Sequence, residues 1–229
     1  MRPEEFKAAL QAAVDKRHQA NHPLVAKWAA GEVKRETVAG AIREHWYWIS
    51  TVLPTMFFNI CSKAPQDVID MELENLQEET DPDNPHQDLI VRFAAACGIS
   101  KAELDAGRGL PTTECWANWE LKTTRDEPWI AGMAAIHVSS EAQEPKLFSK
   151  ILPALRKTYG FSEHDLEYWW LHAEADVDHG GVAFEKLAQH CATREQQEMA
   201  IHWAAEGARL KYMFWDGINL HYEVGYRLQ

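Results

Sequence analysis

Six side chains able to hold a metal ion or move a proton fall on helix faces that would point inward: Glu79, His86, Glu141, His172, Asp176 and His179. At 100° per residue, His172, Asp176 and His179 lie within about 60° of one another and form one stripe. Tyr168, Trp169 and Ala183 flank that stripe, whereas Glu174, Asp178 and Glu185 fall roughly opposite, so the stripe faces the interior. Such a triplet suits either a metal ion or an ion-paired interior seam. Over 65–80 the apolar residues Ile69, Leu73 and Leu76 mark an inward stripe, with Glu79 about 80° from it and Glu78 nearly opposite. Glu79 is therefore the inward carboxylate. His86 follows across a Pro-rich break, where a helix end and a helix start can converge; a capping or surface histidine is the alternative. Between Trp129 and Ser140 the only ionisable side chain is His137, amid small and apolar residues, as expected of a central buried helix. Glu141 comes next, and a buried carboxylate is costly unless it is paired, protonated or metal-bound. A Glu141–His137 hydrogen bond, four residues apart, competes with metal ligation. Three carboxylates and three imidazoles without a thiolate suit two iron ions, or manganese, better than a closed zinc shell, and they leave open positions for O2.

The elements that must position these groups are helices. Apolar residues recur at three- and four-residue spacing, and no alternating strand pattern bounded by turns interrupts them. Start and stop signals give helical segments at 3–19, 22–30, 35–62 bent at Pro54, 65–80, 85–97, 111–125, 128–159 interrupted at Pro145 and Pro153, 162–190 and 194–226. The breaks near 81–85 and 106–110 are short connections, so the expectation is an all-α chain with one helical domain over 1–229.

Composition narrows the partners. The 229 residues carry 23 Lys+Arg against 35 Asp+Glu, a net charge of −12, with 46% hydrophobic residues. That excess of negative charge repels nucleic acid and anionic lipid, so neither is expected as a partner. No targeting or membrane-spanning stretch is evident, which gives a cytoplasmic expectation. Cys61, Cys97, Cys115 and Cys191 lie far apart and read as reduced structural thiols. Motifs of zinc hydrolases, serine hydrolases, Walker loops and dinucleotide folds are missing, as is the Glu-x-x-His pair of ferritin-like bundles.

These residues resemble the haem-oxygenase-like di-iron oxidases and oxygenases, relatives of pyrroloquinoline-quinone synthase and thiaminase II. The resemblance runs over most of the chain, from Asn21–Trp28 through Glu74–Glu79 with His86–Leu89, and Ser140–Pro145, to His172-x3-Asp176-x2-His179. It implies a haem-oxygenase-like helical bundle that holds two irons, one drawing on Glu79, His86 and His179, the other on His172 and Asp176, with Glu141 bridging. Thiaminase II relies on a cysteine on the central helix, and 129–148 contains none. The p-aminobenzoate-synthase branch resembles this chain at Lys27-Trp28, Gly31-Glu32 and Glu174–Val177. That branch uses its own tyrosines and a lysine, and the corresponding positions here are Val25, Ser140 and Ile151, with Lys150 beside the last. An external substrate is expected in place of self-sacrifice.

The leading expectation is a non-haem di-iron oxidase or oxygenase that activates O2 to oxidise a small organic substrate, such as an amino acid or other small carboxylate. Tyr47, His137, Trp169 and Arg209 are candidates for holding that substrate. An external electron donor and, by resemblance, a homodimer belong to the same expectation. The alternatives are a metal-free oxidase like the quinone synthase and a non-catalytic helical metal-binding or interaction protein.

Overall fold

Proline placement and capping decide where the helices of this computed structural model begin. The structure describes residues 1–80 and 85–228, and leaves the side chains of 174–180 aside. Among the described residues twelve α-helices follow in order: α1 (Pro3–Asp15), α2 (Pro23–Ala29), α3 (Arg35–Thr51), α4 (Leu53–Cys61), α5 (Gln66–Glu79), α6 (His86–Ala96), α7 (Lys101–Ala106), α8 (Pro111–Asp126), α9 (Trp129–Met133), α10 (Glu144–Lys157), α11 (Glu167–His190) and α12 (Arg194–Ile218). No strand occurs among the described residues. Pro3, Pro23 and Pro111 occupy first-turn positions, where a missing N–H costs nothing. Thr193 caps α12 and Gln196 returns the bond to the Thr193 N–H.

Beyond helix ends that shift by several residues, three features differ from the sequence expectation. The segment 35–62 does not bend at Pro54; it divides at Val52 (φ −123°), and Pro54 falls in the first turn of the new helix α4. Pro153 does not interrupt α10. It lies on the exposed face, where the carbonyl deprived of a donor meets water, while Ile151, Leu152, Ala154 and Leu155 stay buried. A further short helix, α7, is nucleated by a capping box in which Ser100 and Glu103 bond each other's backbone N–H.

The two long helices α11 and α12 organise the interior. The pair α10 and α11 packs together, as do α12 and α8, and α1 lies against both α11 and α12. Between them runs the central segment, in which every residue from Ile130 to Ser140 is buried. That segment leaves α-helical geometry at Ala134–Val138, a π-helical turn, and reaches Glu141–Gln143 through a 3-10 turn. Such a turn inserts an extra residue into the helical repeat and re-aims the side chains after it. Gly207 of α12 makes this close approach possible, because a Cβ there would stand 2.7 Å from the Ser139 Cβ and 3.1 Å from the Ala135 carbonyl oxygen. The four cysteines are free thiols, with burial pushing Cys97 up to about 12 and Cys191 up to about 11. No helix among the described residues is long and apolar enough to cross a membrane.

Candidate metal centre and its cleft

The inward face of α5 is Val68, Glu72 and Asn75, spaced i, i+4 and i+7, and Glu79 continues it at i+11. This corrects the sequence reading, in which Ile69, Leu73 and Leu76 faced inward; Leu73 is 47% exposed. Hydropathy rotates the helix the wrong way because the buried face carries two polar residues, Glu72, paired with His137, and Asn75, which lines the cleft. Glu78, expected opposite, instead lines the same cleft as Glu79.

At the end of α5 three side chains converge. Glu79 Oε1 lies 3.1 Å from His86 Nδ1, at the first position of α6, and 3.8 Å from His172 Nε2 on α11. One ligand atom from each of Glu79, His86 and His172 falls within 4.8 Å of the other two. His172 Nδ1 is 2.8 Å from the Tyr168 carbonyl oxygen. A carbonyl only accepts, so Nδ1 carries a hydrogen there, and Nε2 is the ring nitrogen turned toward Glu79. Burial pushes the Glu79 carboxyl up, but the adjacent His172 and His86 imidazoles outweigh it and hold the group down at about 2. A carboxylate and two imidazoles directed at one point form a donor set that fits a ferrous ion. Asp176 and His179, the remaining expected ligands on α11, lie outside the described residues.

The cluster opens into a cleft of about 520 Å³, solvent at its mouth included, with Trp48, Ile49, Leu53 and Phe57 as an apolar wall. Glu141 lines this cleft but stands apart from the three-residue cluster. Its Oε2 lies 2.5 Å from His137 Nδ1, and His137 Nε2 lies 2.8 Å from Glu72 Oε1. His137 stacks on Phe57 with centroids 5.7 Å apart and planes 5° apart. Burial alone would pull the imidazole down; Glu141 and Glu72 on either side hold it well above its ordinary value. The hydrogen bond weighed against metal ligation from the sequence is thus present, and it leaves the other Glu141 oxygen available to the cleft. The residues expected to hold substrate scatter. His137 is buried behind Glu141, Tyr47 is half-buried with its ring against Gly109, and Trp169 is buried among Trp28, Phe93 and Phe148. Arg209 is exposed and pairs with Glu206. None of these four lines the cleft.

Sequence reasoning missed a second polar group behind the cleft. Glu120 is fully buried and accepts hydrogen bonds from Trp48 Nε1 (2.6 Å), Trp116 Nε1 (2.8 Å) and Ser140 Oγ (2.9 Å). Lys211, 1% exposed, sits with its ammonium 3.8 Å from the Trp116 ring centroid and 3.8 Å from Glu144 Oε1. Burial pushes both Glu120 and Glu144 up to about 7 and Lys211 down. One signal was in the sequence: Ala204, Ala208, Lys211 and Trp215 make an i, i+4, i+7, i+11 stripe, a buried face with a lysine in it. His45 was also unmarked, and Tyr168 was read only as a flank of the α11 stripe; His45 Nε2 lies 2.7 Å from the Tyr168 hydroxyl, and the Tyr168 ring lies 4.1 Å from that of His172.

With that geometry in place, comparison with known proteins is informative. Residues 41–212 match the model of a family described as iron-containing redox enzymes. A 4-aminobenzoate synthase of Nitrosomonas europaea is 26% identical over 227 residues, which is 95% of this chain and 92% of that protein. One of Chlamydia muridarum is 26% identical over 213 residues, or 92% and 89% of the two chains. Among solved structures, a TenA homologue of Pseudomonas syringae pv. tomato has a TM-score of 0.80 at 14% identity, covering 94% of this chain and 91% of that one. A domain with a heme oxygenase-like fold from Shewanella denitrificans has a TM-score of 0.76 at 15% identity, over 96% and 91%. These structures establish a haem-oxygenase-like fold.

Proposed function

The chain belongs to the iron-containing redox enzyme family, and from that premise we propose that it is a non-haem di-iron oxidase that uses O2 to oxidise a small carboxylate-bearing substrate. The observation that carries the reading is the convergence of Glu79, His86 and His172 on one point at the edge of an aromatic-walled cleft. Glu79, His86 and His172 would hold one iron, and Glu141 with Asp176 and His179 would complete a two-iron set. Iron bound there supplies redox and Lewis-acid chemistry toward O2. The rest is done by the chain itself. The Tyr168 carbonyl fixes the His172 tautomer, and Trp48, Ile49, Leu53 and Phe57 exclude water from the cleft wall. His137, held by Glu72, fixes one oxygen of Glu141 and so orients the other. Electrons beyond those of the substrate would come from an external donor.

Formation of 4-aminobenzoate is the second reading, supported by relatives of that name that match nearly end to end. An external substrate is favoured over self-sacrifice because the positions resembling that branch's tyrosines and lysine are Val25, Ser140 and Ile151. All three are buried, and none carries an oxidisable ring or an amine. Lys150 is exposed and donates to the Ala20 carbonyl at 2.6 Å.

The test is metal analysis after anaerobic ferrous loading, followed by stopped-flow mixing with O2 and oxygen uptake against a panel of small carboxylates. About two irons per chain with substrate-dependent O2 uptake is the expected result. Absence of specific iron, with O2 uptake persisting, would move the chain to the metal-free oxidases. Bound iron without any uptake would make it a metal-binding protein only. Accumulation of 4-aminobenzoate in the same reactions would select the second reading.

A further inference from the structure

The central segment reaches Glu141 through a break in its hydrogen-bond ladder. The Ser139 N–H bonds five residues back, to the Ala134 carbonyl at 3.2 Å, whereas the Gln143 N–H bonds only three back, to the Ser140 carbonyl at 3.2 Å. Between those two spacings lie Ser139 and Ser140, both 0% exposed, whose backbone groups must be satisfied inside the protein. Partners come from a distant part of the chain. The 3-10 turn Gln19–Asn21, between α1 and α2, inserts a glutamine that is itself 0% exposed. Gln19 Nε2 donates to the Ser140 carbonyl at 3.3 Å, and the Gln19 N–H donates to Gln143 Oε1 at 2.6 Å. Gln143 Nε2 in turn donates to the Ser139 carbonyl, and Trp215 Nε1 of α12 donates to Gln19 Oε1 at 2.9 Å. The turn is also held from its own side. His18 Nδ1 accepts from the Ala20 N–H at 3.1 Å, and Lys150 Nζ of α10 donates to the Ala20 carbonyl at 2.6 Å.

An apolar side chain of the same size would fill this space without desolvating an amide, so a glutamine bonded three ways selects one geometry of the break over others. That geometry bears on the cleft, because Glu141 follows Ser140 directly, Glu144 follows Gln143, and both glutamates line the cleft. The Ser140 carbonyl lies in the same peptide plane as the Glu141 nitrogen, so fixing one orients the other. The Ser140 hydroxyl adds a second restraint, donating to Glu120 at 2.9 Å. Downstream of that peptide, the Glu141 carboxyl meets His137 Nδ1 at 2.5 Å, while His137 Nε2 meets Glu72 of α5 at 2.8 Å. A change at the break therefore acts on the first of these two bonds, and the second is anchored on another helix.

We propose that Gln19 is a positioning residue for Glu141: through the Ser140 carbonyl and Gln143 it sets the peptide that leads into Glu141, and so the direction in which that carboxylate is presented to the cleft. The consequence for iron rests on the oxidase reading, in which Glu141 completes the two-iron set; the consequence for the Glu141–His137 bond does not. The test therefore starts with metal-free, full-length protein carrying isotope-labelled histidine, read by proton NMR. Both ring nitrogens of His137 face a carboxylate, so each carries a proton, and both protons should appear far downfield, further for the shorter bond to Glu141. Their loss in His137→Phe assigns them. Gln19→Met keeps the length of the side chain and removes its amide. It should shift the Nδ1 proton that faces Glu141 and leave the Nε2 proton that faces Glu72 in place, whereas a generally loosened core would move both. Lys150→Met releases the turn on its outer side, leaves the bonds at the break intact, and should move neither. In ferrous titrations Gln19→Met should bind one ion as the wild type does and the second about tenfold more weakly. Far-ultraviolet circular dichroism checks folding. If Gln19→Met does not fold, Gln19→Glu carries the same test, because it keeps the size and the acceptor for Trp215 but sets an oxygen against the Ser140 carbonyl. No downfield pair in the wild-type protein, an unmoved Nδ1 proton in a folded variant, equal shifts of both protons, or wild-type affinity for both ions would each overturn the proposal. A selective shift of the Nδ1 proton in a protein whose wild type binds no iron would leave the positioning role standing and remove the oxidase reading.

Discussion

Replacing His137 with Phe isolates the relay that anchors Glu141. The phenyl ring keeps the stack on Phe57 and most of the volume, while both hydrogen bonds of the imidazole, 2.5 Å to Glu141 and 2.8 Å to Glu72, are lost. Glu141 is half-buried and can turn toward the cleft. Glu72 cannot: it is 0% exposed, its Oε2 has no hydrogen-bond partner, and its Oε1 would lose the bond from His137. Each charge-assisted bond contributes about 1.5–3 kcal/mol, and a stranded buried carboxylate brings the total cost to about 3–5 kcal/mol. For a domain of this size that is roughly 8–15 °C in Tm. The assay is reversible urea unfolding of metal-free protein at pH 7, with the Glu72→Met, His137→Phe double variant beside the single. Because the double variant removes the charge along with its partner, it should return to within about 2 kcal/mol of wild type. A cost below about 1 kcal/mol in the single variant, or a double variant as unstable as the single, would refute the relay. The single variant should also bind ferrous iron about 10- to 100-fold more weakly, since Glu141 has lost its anchor.

The Glu120 carboxyl, pushed by burial up to about 7, holds its proton in the native state while the unfolded chain releases it above about 4.5. Stability should therefore fall as pH rises between those values, by about 1.4 kcal/mol per pH unit and about 3 kcal/mol in all, with no contribution below that window. Glu120→Gln removes this slope from the wild-type profile, and superimposable urea-midpoint profiles from pH 4 to 8 would reject the assignment. Glu79→Gln preserves shape but removes the carboxylate charge that faces His86 and His172, so iron stoichiometry by metal analysis should drop by about one per chain; full retention would exclude Glu79 as a ligand. Gly207→Ala drives a methyl into Ser139 and the Ala135 carbonyl, at an expected cost of about 1–3 kcal/mol in thermal or urea unfolding, and a neutral result would mean that α12 can retreat from the π-helical turn.

Much of the fold is legible from local chemistry. Helix starts at Pro3, Pro23 and Pro111 need only the rule that a first-turn N–H is dispensable, and the α7 capping box was readable in Ser100-x-x-Glu103. The family resemblance was equally legible, because the His172-x3-Asp176-x2-His179 spacing and the Glu79–His86 interval lie along the chain. Periodicity was a poorer guide wherever a buried face is polar. On α5 it chose Ile69, Leu73 and Leu76 over the true face of Val68, Glu72, Asn75 and Glu79, since a carboxylate counts as outward until its partner is known.

By itself, then, the sequence determined an all-helical chain and named Glu79, His86 and His172 among six candidate donors; the resemblance set His172 with the other iron, whereas the fold gathers one ligand atom from each of these three within 4.8 Å. Tertiary structure alone decided that Glu141 is tied through His137 to Glu72, 65 residues before that histidine. It also decided that Arg209 stays at the surface while Lys211, two positions on, turns into the interior beside Glu144 and Trp116. The physical reason is that a side chain's charge state and accessibility depend on desolvation and on partners from distant helices, and neither quantity exists until those helices have packed.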